Sequence, residues 1–191
     1  MAGADAADWD ERYVRRVADQ KPVPRPPAGF SERLDLFPKA GTALEVACGS
    51  GSAAVWLAKR GLDVLGVDGS PVAIKAARDL AEEHNVADRC HFTVVDLELG
   101  LPPSDPVDLI LCNRFRDQRL YGPMAERLAP GGLLAVAVLS EVGSQPGRFR
   151  AGQGELEAAF SDLDVAFSAE GDGSAVILAF VTGPTGTGRL D

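Results

Sequence analysis

The feature that most constrains this chain is a glycine-rich turn between an apolar run and a helical pattern, ALEVACGSGSAAVWLAKRG (residues 43–61). Gly49 and Gly51 supply the turn, which lets a ligand approach the backbone and meet the N–H groups at the start of the next helix. A second apolar run, LDVLGVD, then ends in Asp68, where a carboxylate can accept both hydroxyls of a ribose. The segment predicts a strand, turn, helix and strand around a nucleoside-containing ligand. The alternative is that the glycines only make a tight turn and that Asp68 caps the following helix.

From Gly41 onward, short apolar runs alternate with helical patterns. Ser70-Pro71 opens one helix with serine as N-cap and proline at the first helical position. This alternation predicts an α/β fold with a doubly wound, mostly parallel sheet of seven strands and helices on both faces. The last two strands flank EGDGS (residues 170–174), whose turn residues predict a hairpin and therefore an antiparallel last strand. We expect helices at 52–60, 70–84, 118–128 and 153–160, and strands at 42–47, 62–67, 90–95, 107–112, 133–139, 164–168 and 175–181.

The first forty residues have a different pattern. Trp9, Tyr13 and Val17 recur every four residues and predict a short helix. The following KPVPRPPAG (residues 21–29) is too rich in proline for a helix or a central strand. We predict a short N-terminal helical lid, in which Trp9 and Tyr13 either cover a substrate or only fill a surface groove. The predicted organisation is a lid at 1–40, a ligand-binding domain at 41–182 and a flexible tail at 183–191.

Composition excludes several classes of function. The 19 basic and 28 acidic side chains leave a formal net charge of −9, which argues against a nucleic-acid-binding protein because such proteins need a basic face. The longest apolar runs, Leu133–Leu139 and Ala175–Val181, are about a third of a membrane span, and the acidic N-terminus has no secretory leader pattern. Cys48, Cys90 and Cys112 lack metal-ligand or disulfide-scaffold spacing. We expect a cytoplasmic protein without a metal, membrane or nucleic-acid partner.

A nicotinamide-dependent oxidoreductase is one alternative, because GSGSAA (residues 49–54) fits the dinucleotide pattern G-x-G-x-x-A. Three features oppose it. Glu45, at the end of the first strand, would lie badly beside a pyrophosphate but well beside an amino-bearing ligand. Asp96, after the third strand, can accept from an adenine amino group. The closing hairpin leaves no room for a separate substrate domain. These features favour a nucleoside cofactor that carries an amino group.

At these residues the chain resembles the class I, Rossmann-like S-adenosylmethionine-dependent methyltransferases. The resemblance covers roughly residues 42–181. It rests on five motifs: EVACGSG (45–51), GVD (66–68), VDL (95–97), DLILC (108–112) and LAPGG (128–132). WDERY (9–13) and RFRAGQGELEAAF (148–160) more loosely resemble a bacterial subgroup that includes the tellurite-resistance methyltransferases.

The resemblance implies S-adenosylmethionine as cofactor and a set of residues around it. Glu45 would lie near the ammonium of the methionine moiety, although the family usually has Asp there. Asp68 would bind the ribose, and Asn113 would lie beside the transferable methyl. For Cys48, packing of the turn is favoured over a catalytic role because nothing basic is nearby in sequence. The implied cofactor-binding residues are Glu45, Ala47, Cys48, Gly49, Ser50, Gly51, Asp68, Gly69, Ser70, Asp96, Leu97 and Asn113.

Methyl transfer from a sulfonium is an in-line displacement of an activated group. Positioning alone can supply effective molarities of about 10⁵ M or more, so we expect no nucleophilic triad and name no catalytic residue. The run NRFRDQR (113–119) is either a solvated face or, through Arg114 and Phe115, part of a site for an anionic or aromatic small-molecule acceptor. Trp9 and Tyr13 are the other predicted substrate contacts. A non-catalytic cofactor-binding protein of the same fold is the remaining alternative, and the acceptor atom and oligomeric state are left open.

Overall fold

A computed structural model describes residues 21–182. In this part of the chain, the strands are β1 Gly41–Val46, β2 Leu62–Asp68, β3 Cys90–Val94, β4 Val107–Asn113, β5 Leu128–Ser140, β6 Arg150–Ala151, β7 Asp164–Gly171 and β8 Ser174–Phe180. These eight strands form one mixed sheet in the order β3-β2-β1-β4-β5-β8-β7, with β6 paired to β5. Strands β1 to β5 pair in parallel, and β8 is antiparallel to both of its neighbours.

The predicted doubly wound sheet with an antiparallel last strand is confirmed, with one strand more than expected. The extra strand, β6, consists of two residues that pair with Leu139 and Ser140 at the end of β5. A strand of this length has no periodicity for a sequence pattern to reveal. Between β7 and β8, Asp172 and Gly173 both have positive φ, +48° and +76°, as in the tight turns that match the twist of a hairpin.

The helices are α1 Ser52–Lys59, α2 Pro71–Glu83, α3 Tyr121–Glu126 and α4 Glu155–Ala159. Helix α2 begins as predicted, since the Ser70 hydroxyl accepts a hydrogen bond from Ala73 N at 3.1 Å. The helix expected over 118–128 is shorter. It starts as a 3₁₀ turn at Gln118–Leu120, and it cannot continue past Arg127 because Leu128 already pairs with Val107 in the sheet.

Two apolar cores cover the two faces of the sheet. Helices α1 and α2 pack on the first face, and α3, α4 and Phe160 pack on the second. Residues 21–37 also contribute to the first face: Phe30 and Phe37 are fully buried, with ring centroids 5.6 Å apart, and Phe37 contacts Trp56. The second half of the predicted lid segment therefore packs against the sheet. Its first half, with Trp9 and Tyr13, lies outside the described residues.

Within residues 21–182, no helix is long and apolar enough to cross a membrane. Over the same range, no group of His, Cys, Asp and Glu side chains is placed to hold a metal ion. The three cysteines are buried free thiols.

Candidate active site

The predicted site residues that fall within residues 21–182 meet at the carboxyl edge of the sheet, around the point where β1 is flanked by β2 on one side and β4 on the other. Connections leave these neighbours in opposite directions, which opens the crevice where ligands bind in doubly wound folds. The glycine turn follows β1, Asp68 ends β2 and Asn113 ends β4. Val95 N donates to the Asp68 carbonyl at 3.0 Å, so the segment leading to Asp96 is attached to the same edge.

Sterics fix the glycine turn. Gly51 has φ of +74°, and a Cβ at this position would lie 2.7 Å from the Ala77 Cβ. A side chain here would thus both strain the backbone and separate α1 from α2. Gly66 is equally confined, because its Cβ would lie 2.6 Å from the Phe92 ring. The glycines of the two motifs therefore allow close packing as well as a sharp turn.

Asp68 connects the turn to the next helix. The side chain is 7% exposed. Gly49 N donates to its Oδ2 at 2.8 Å, and Ser70 N donates to its Oδ1 at 2.9 Å. Each carboxylate oxygen has two acceptor positions, so both backbone bonds can coexist with hydrogen bonds from a ribose. The structural role considered for Asp68 and the ligand-binding role are therefore compatible.

Glu45 is a buried acid on β1, 5% exposed, whose Oε2 has no hydrogen-bond partner among the described residues. Burial raises its pKa to about 8; a backbone hydrogen bond from Ala54 opposes this shift, and the charge of Asp68 adds to it. The acid thus retains its proton under conditions in which an exposed glutamate would be ionised.

Asn113 carries a second acceptor, its buried Oδ1, that has no hydrogen-bond partner in the described part of the chain. Glu45 pairs with Leu111 in the register between β1 and β4. Because side chains alternate along a strand, Glu45 lies on the face of Ala43, and Asn113 lies on the face of Leu109 and Leu111. These three apolar residues belong to the first core, so both acceptors lie on the same face.

Each of the two strands at the crevice, β1 and β4, is followed directly by a non-glycine residue with left-handed backbone. Ala47 has φ of +54° after β1, and Arg114 has φ of +64° after β4. This conformation costs roughly 1–2 kcal/mol per residue, and such strain clusters at ligand sites. Arg114 is held there by a hydrogen bond from its backbone N to the Ala137 carbonyl at 2.7 Å. Its position beside Asn113 is therefore fixed by the backbone.

The residues predicted to contact the adenine line the end of β3. Asp96 is exposed and accepts from Glu98 N at 3.0 Å through Oδ1, while Leu97 is buried in the second core. A Cβ on Gly69 would meet only the Val95 carbonyl, at 3.8 Å, so this position borders open space. The exposed carboxylate of Asp96 can pair with the amino group of a ligand.

Cys48 and Ser50 occupy the glycine turn itself. Cys48 is 6% exposed and belongs to the first core. Burial, together with the charges of Glu45 and Asp68, raises the pKa of its thiol, which disfavours the reactive thiolate. These observations support packing as the role of Cys48, whereas Ser50 is only partly buried.

The arginine run after β4 divides into two kinds of residue. Arg116 makes a bidentate ion pair with Glu155, Nε–Oε1 2.7 Å and NH2–Oε2 2.6 Å, and Arg119 pairs with Asp117. Arg114 is exposed and makes no ion pair within residues 21–182. Phe115 packs partly on the second core. One arginine of the run therefore remains available to a ligand at the crevice.

Sequence reasoning missed Glu155 as the centre of this region. Its carboxylate also accepts from the Tyr121 hydroxyl at 2.9 Å and from Gly152 N at 3.3 Å. Burial opposes its ionisation, but the hydrogen bonds from Arg116 and Tyr121 prevail, and its pKa is lowered. The partners are 39 and 34 residues away, so only the fold could reveal them.

Two clefts lie at the opposite, amino edge of the sheet. One of about 410 Å³ is lined by Lys59, His84 and Arg89 among others, and one of about 400 Å³ by Gly41, Asp108 and Phe180 among others. Neither includes a residue of the glycine turn or Glu45, Asp68, Asp96 or Asn113. The motif geometry, with its unpartnered acceptors and strained strand ends, therefore locates the site better than cleft size does.

Comparison with known families supports the prediction made from the sequence motifs. Residues 43–132 match the family model of a methyltransferase domain. Ribosomal protein L11 methyltransferase from Tolumonas auensis is 33% identical over 117 residues, which are 58% of this chain and 37% of that protein. The enzyme of the same name from Escherichia coli O8 is 37% identical over 119 residues, which are 56% and 36% of the two chains. The chain thus matches little more than a third of these relatives.

Solved structures share the fold at low sequence identity. The [4+2]-cyclase SpnF superimposes with a TM-score of 0.75 at 15% identity, covering 96% of this chain and 97% of that one. TehB from Haemophilus influenzae superimposes with a TM-score of 0.65 at 18% identity, covering 90% of this chain and 62% of that one. A TehB-like S-adenosylmethionine-dependent methyltransferase from Corynebacterium glutamicum superimposes with a TM-score of 0.64 at 17% identity, covering 94% of this chain and 98% of that one. As its motifs predicted, the chain matches a methyltransferase domain at residues 43–132 and has the Rossmann-like fold of solved structures that include an S-adenosylmethionine-dependent methyltransferase.

Proposed function

We propose that the protein transfers the methyl group of S-adenosylmethionine to an anionic small molecule at the carboxyl edge of the sheet, releasing S-adenosylhomocysteine. The observation that carries the proposal is the meeting of three features at the end of β1. These are the Gly49–Asp68 hydrogen bond, the unpartnered Glu45 Oε2 and the unpartnered Asn113 Oδ1. Together they match a ligand that has a nucleoside at one end and an amino group at the other.

The residues present fit this cofactor. Glu45 and Asn113 would hold its ammonium, which brings the N–H donors that both orphaned acceptors lack. Asp68 would accept the ribose hydroxyls. The backbone of the glycine turn, from Ala47 through Cys48, Gly49 and Ser50 to Gly51, would lie along the cofactor. Gly69, Ser70, Asp96 and Leu97 would surround the adenine.

The cofactor supplies a methyl group already activated on a sulfonium. The chain then needs to align the acceptor in line with the breaking bond and to exclude water, and orientation of this kind is worth about 7–11 kcal/mol in favourable cases. His84 ends α2 and lines an amino-edge cleft, and His91 is exposed on the edge strand β3. Neither histidine lies at the crevice, so neither supports a role as general base, and the mechanism proposed is one of proximity.

Arg114 supports an anionic acceptor. Its backbone is pinned next to Asn113, and its guanidinium makes no ion pair within residues 21–182. Arginine binds carboxylates and other oxyanions through paired N–H groups. Phe115 beside it adds apolar surface. Trp9 and Tyr13 remain predicted acceptor contacts, and the cytoplasmic location likewise remains a prediction.

A protein acceptor is the second candidate, because the curated relatives are named ribosomal protein L11 methyltransferases. The shared region is little more than a third of those enzymes, so their acceptor does not transfer with it. Because the chain also shares its fold with a [4+2]-cyclase, the experiments must also test for a function other than methyl transfer.

Calorimetry with S-adenosylhomocysteine tests the cofactor site. Wild type should bind it, and Asp68→Asn should lose about tenfold or more in affinity, since a hydrogen bond to a charged group contributes about 1.5–3 kcal/mol. Asp63→Asn is the matched control: Asp63 is on the same strand, but it is exposed and far from the turn. NAD(H) should not bind. Absence of S-adenosylhomocysteine binding would disprove the cofactor assignment.

Transfer of labelled methyl to a panel of acceptors tests the reaction. We expect label on an anionic small molecule, with a higher KM in Arg114→Gln. Label on ribosomal protein L11 alone would favour the protein acceptor. Cofactor binding without turnover on any member of a broad panel would favour the non-catalytic alternative.

A further inference from the structure

Glu45 is buried with one carboxylate oxygen unpartnered. The titratable groups that interact with it are Asp68 on β2, Cys48 in the glycine turn, Cys90 on β3 and Cys112 on β4. From α1 it receives only the Ala54 backbone hydrogen bond. No cation is among these described neighbours. A carboxyl group in such surroundings favours its neutral, protonated form.

Asn113 places a second acceptor within reach of the same ligand group. Asn113 lies two residues beyond the Glu45–Leu111 pair on the adjacent parallel strand. A rise of 3.3 Å per residue and a strand spacing of 4.8 Å put their Cα atoms about 8 Å apart. Both side chains lie on one face of the sheet. An ammonium group between them can donate to both oxygens, whereas a neutral hydroxyl has a single hydrogen to donate.

We propose that the ligand's ammonium group replaces the proton of Glu45, so that each cofactor bound releases one proton to solvent. This inference rests on the proposed function, because it concerns the amino group of the same cofactor. The exchange balances: the neutral carboxyl and the cationic ammonium become an ion pair, and the proton leaves to buffer. The site thereby favours ligands that carry an amino group over the nucleoside portion alone.

The exchange has a direct consequence for affinity. Because the raised pKa of Glu45 is about 8, the free site is mostly protonated near neutrality. Losing that proton opposes binding more strongly at lower pH. The affinity for S-adenosylhomocysteine should therefore rise by up to tenfold per pH unit from about pH 6 toward pH 8. The nucleoside 5′-methylthioadenosine lacks the α-amino group of the amino-acid portion, so its affinity should not change with pH.

Calorimetry in two buffers of different ionisation enthalpy measures the released proton. At about pH 7, wild type should release close to one proton per S-adenosylhomocysteine and none per 5′-methylthioadenosine. Glu45→Gln should still bind S-adenosylhomocysteine but release none. Glu126→Gln, an exposed acid on α3, should behave as wild type. The nucleoside comparison uses wild-type protein and does not depend on the folding of a variant.

Two results would overturn the inference and leave the proposed function intact. One is S-adenosylhomocysteine binding to wild type without proton release. The other is equal proton release by wild type and Glu45→Gln. A complete failure of S-adenosylhomocysteine to bind would instead overturn the proposed function, and this inference with it.

Discussion

At the residue scale, the buried polar groups separate structural from ligand-binding roles. Ser140 is fully buried and donates to Glu170 at 2.6 Å, and Ser70 caps α2. These groups have protein partners, as buried polar groups almost always do. Within residues 21–182, Glu45 and Asn113 each keep an oxygen without a hydrogen-bond partner. An exception of this kind at the predicted crevice points to a partner that arrives from outside the chain.

The pH dependence of stability should report on Glu45 without any ligand. Its folded-state pKa, about 8, is above the ordinary value of 4.5. Its contribution to stability is thus fully present below about 4.5 and is lost as pH rises through about 8. Urea unfolding should show stability falling over this range in wild type, with a flatter profile in Glu45→Gln. If the pH profile of stability of Glu45→Gln matched that of wild type, the assignment of Glu45 as a buried acid with an unpaired oxygen would be contradicted.

The glycine turn gives a steric prediction with a matched control. Gly51 and Gly131 have similar φ, +74° and +78°, but only at Gly51 would a Cβ meet another atom closely. Gly51→Ala should therefore cost about 1–3 kcal/mol more unfolding free energy than Gly131→Ala, because it adds overpacking to the shared backbone strain. Chemical denaturation measures both. Equal losses would mean that α1 and α2 are not tightly apposed at this glycine.

At the element scale, Glu155 on α4 joins the loops that follow β4 and β5. Its ion pair with Arg116 is largely buried, with side-chain exposures of 13% and 19%, whereas the Lys75–Asp79 pair on α2 is exposed. Glu155→Gln should lower the unfolding free energy by about 1–3 kcal/mol near neutral pH, and Asp79→Asn by less than about 0.5 kcal/mol.

The sign of the pH effect follows from the lowered pKa of Glu155. Its contribution is present above the ordinary glutamate value and is lost as pH falls through the folded-state value. The stability difference between wild type and Glu155→Gln should therefore shrink in acid. A difference that persists at low pH would show that shape, and not charge, holds these loops together.

Elements with a local signal were predictable from sequence, and elements set by tertiary contacts were not. The start of α2 needed only Ser70, Pro71 and apolar periodicity. The early end of α3 depends on the pairing of Leu128 with Val107, and the hydrogen bonds from Arg116 and Tyr121 to Glu155 join chain segments more than thirty residues apart. For the candidate site, the motifs predict Asp68 and Asn113 as cofactor contacts, which stays a prediction, whereas the burial of Glu45 and its unpartnered oxygen among the described residues required the fold.

At the scale of the whole molecule, the net charge is −9, but the edge of the sheet at the crevice has an exposed arginine. The run after β4 looked broadly basic in sequence. In the structure, Glu155 and Asp117 neutralise two of its arginines, which leaves Arg114 at the crevice. The sheet brings this arginine, the glycine turn and the two orphaned acceptors to one edge. The amino edge contains clefts, but neither cleft is lined by the glycine turn or by the predicted cofactor-binding residues.

The central claim is that the cofactor binds at the carboxyl edge of the sheet, and hydrogen exchange with mass spectrometry tests its location directly. Addition of S-adenosylhomocysteine should slow exchange in peptides that span residues 45–51, 68–70 and 95–98. Peptides that span 58–61 and 84–89, at the amino-edge cleft, should be unchanged. Protection confined to the amino edge, or none at saturating ligand, would contradict the account.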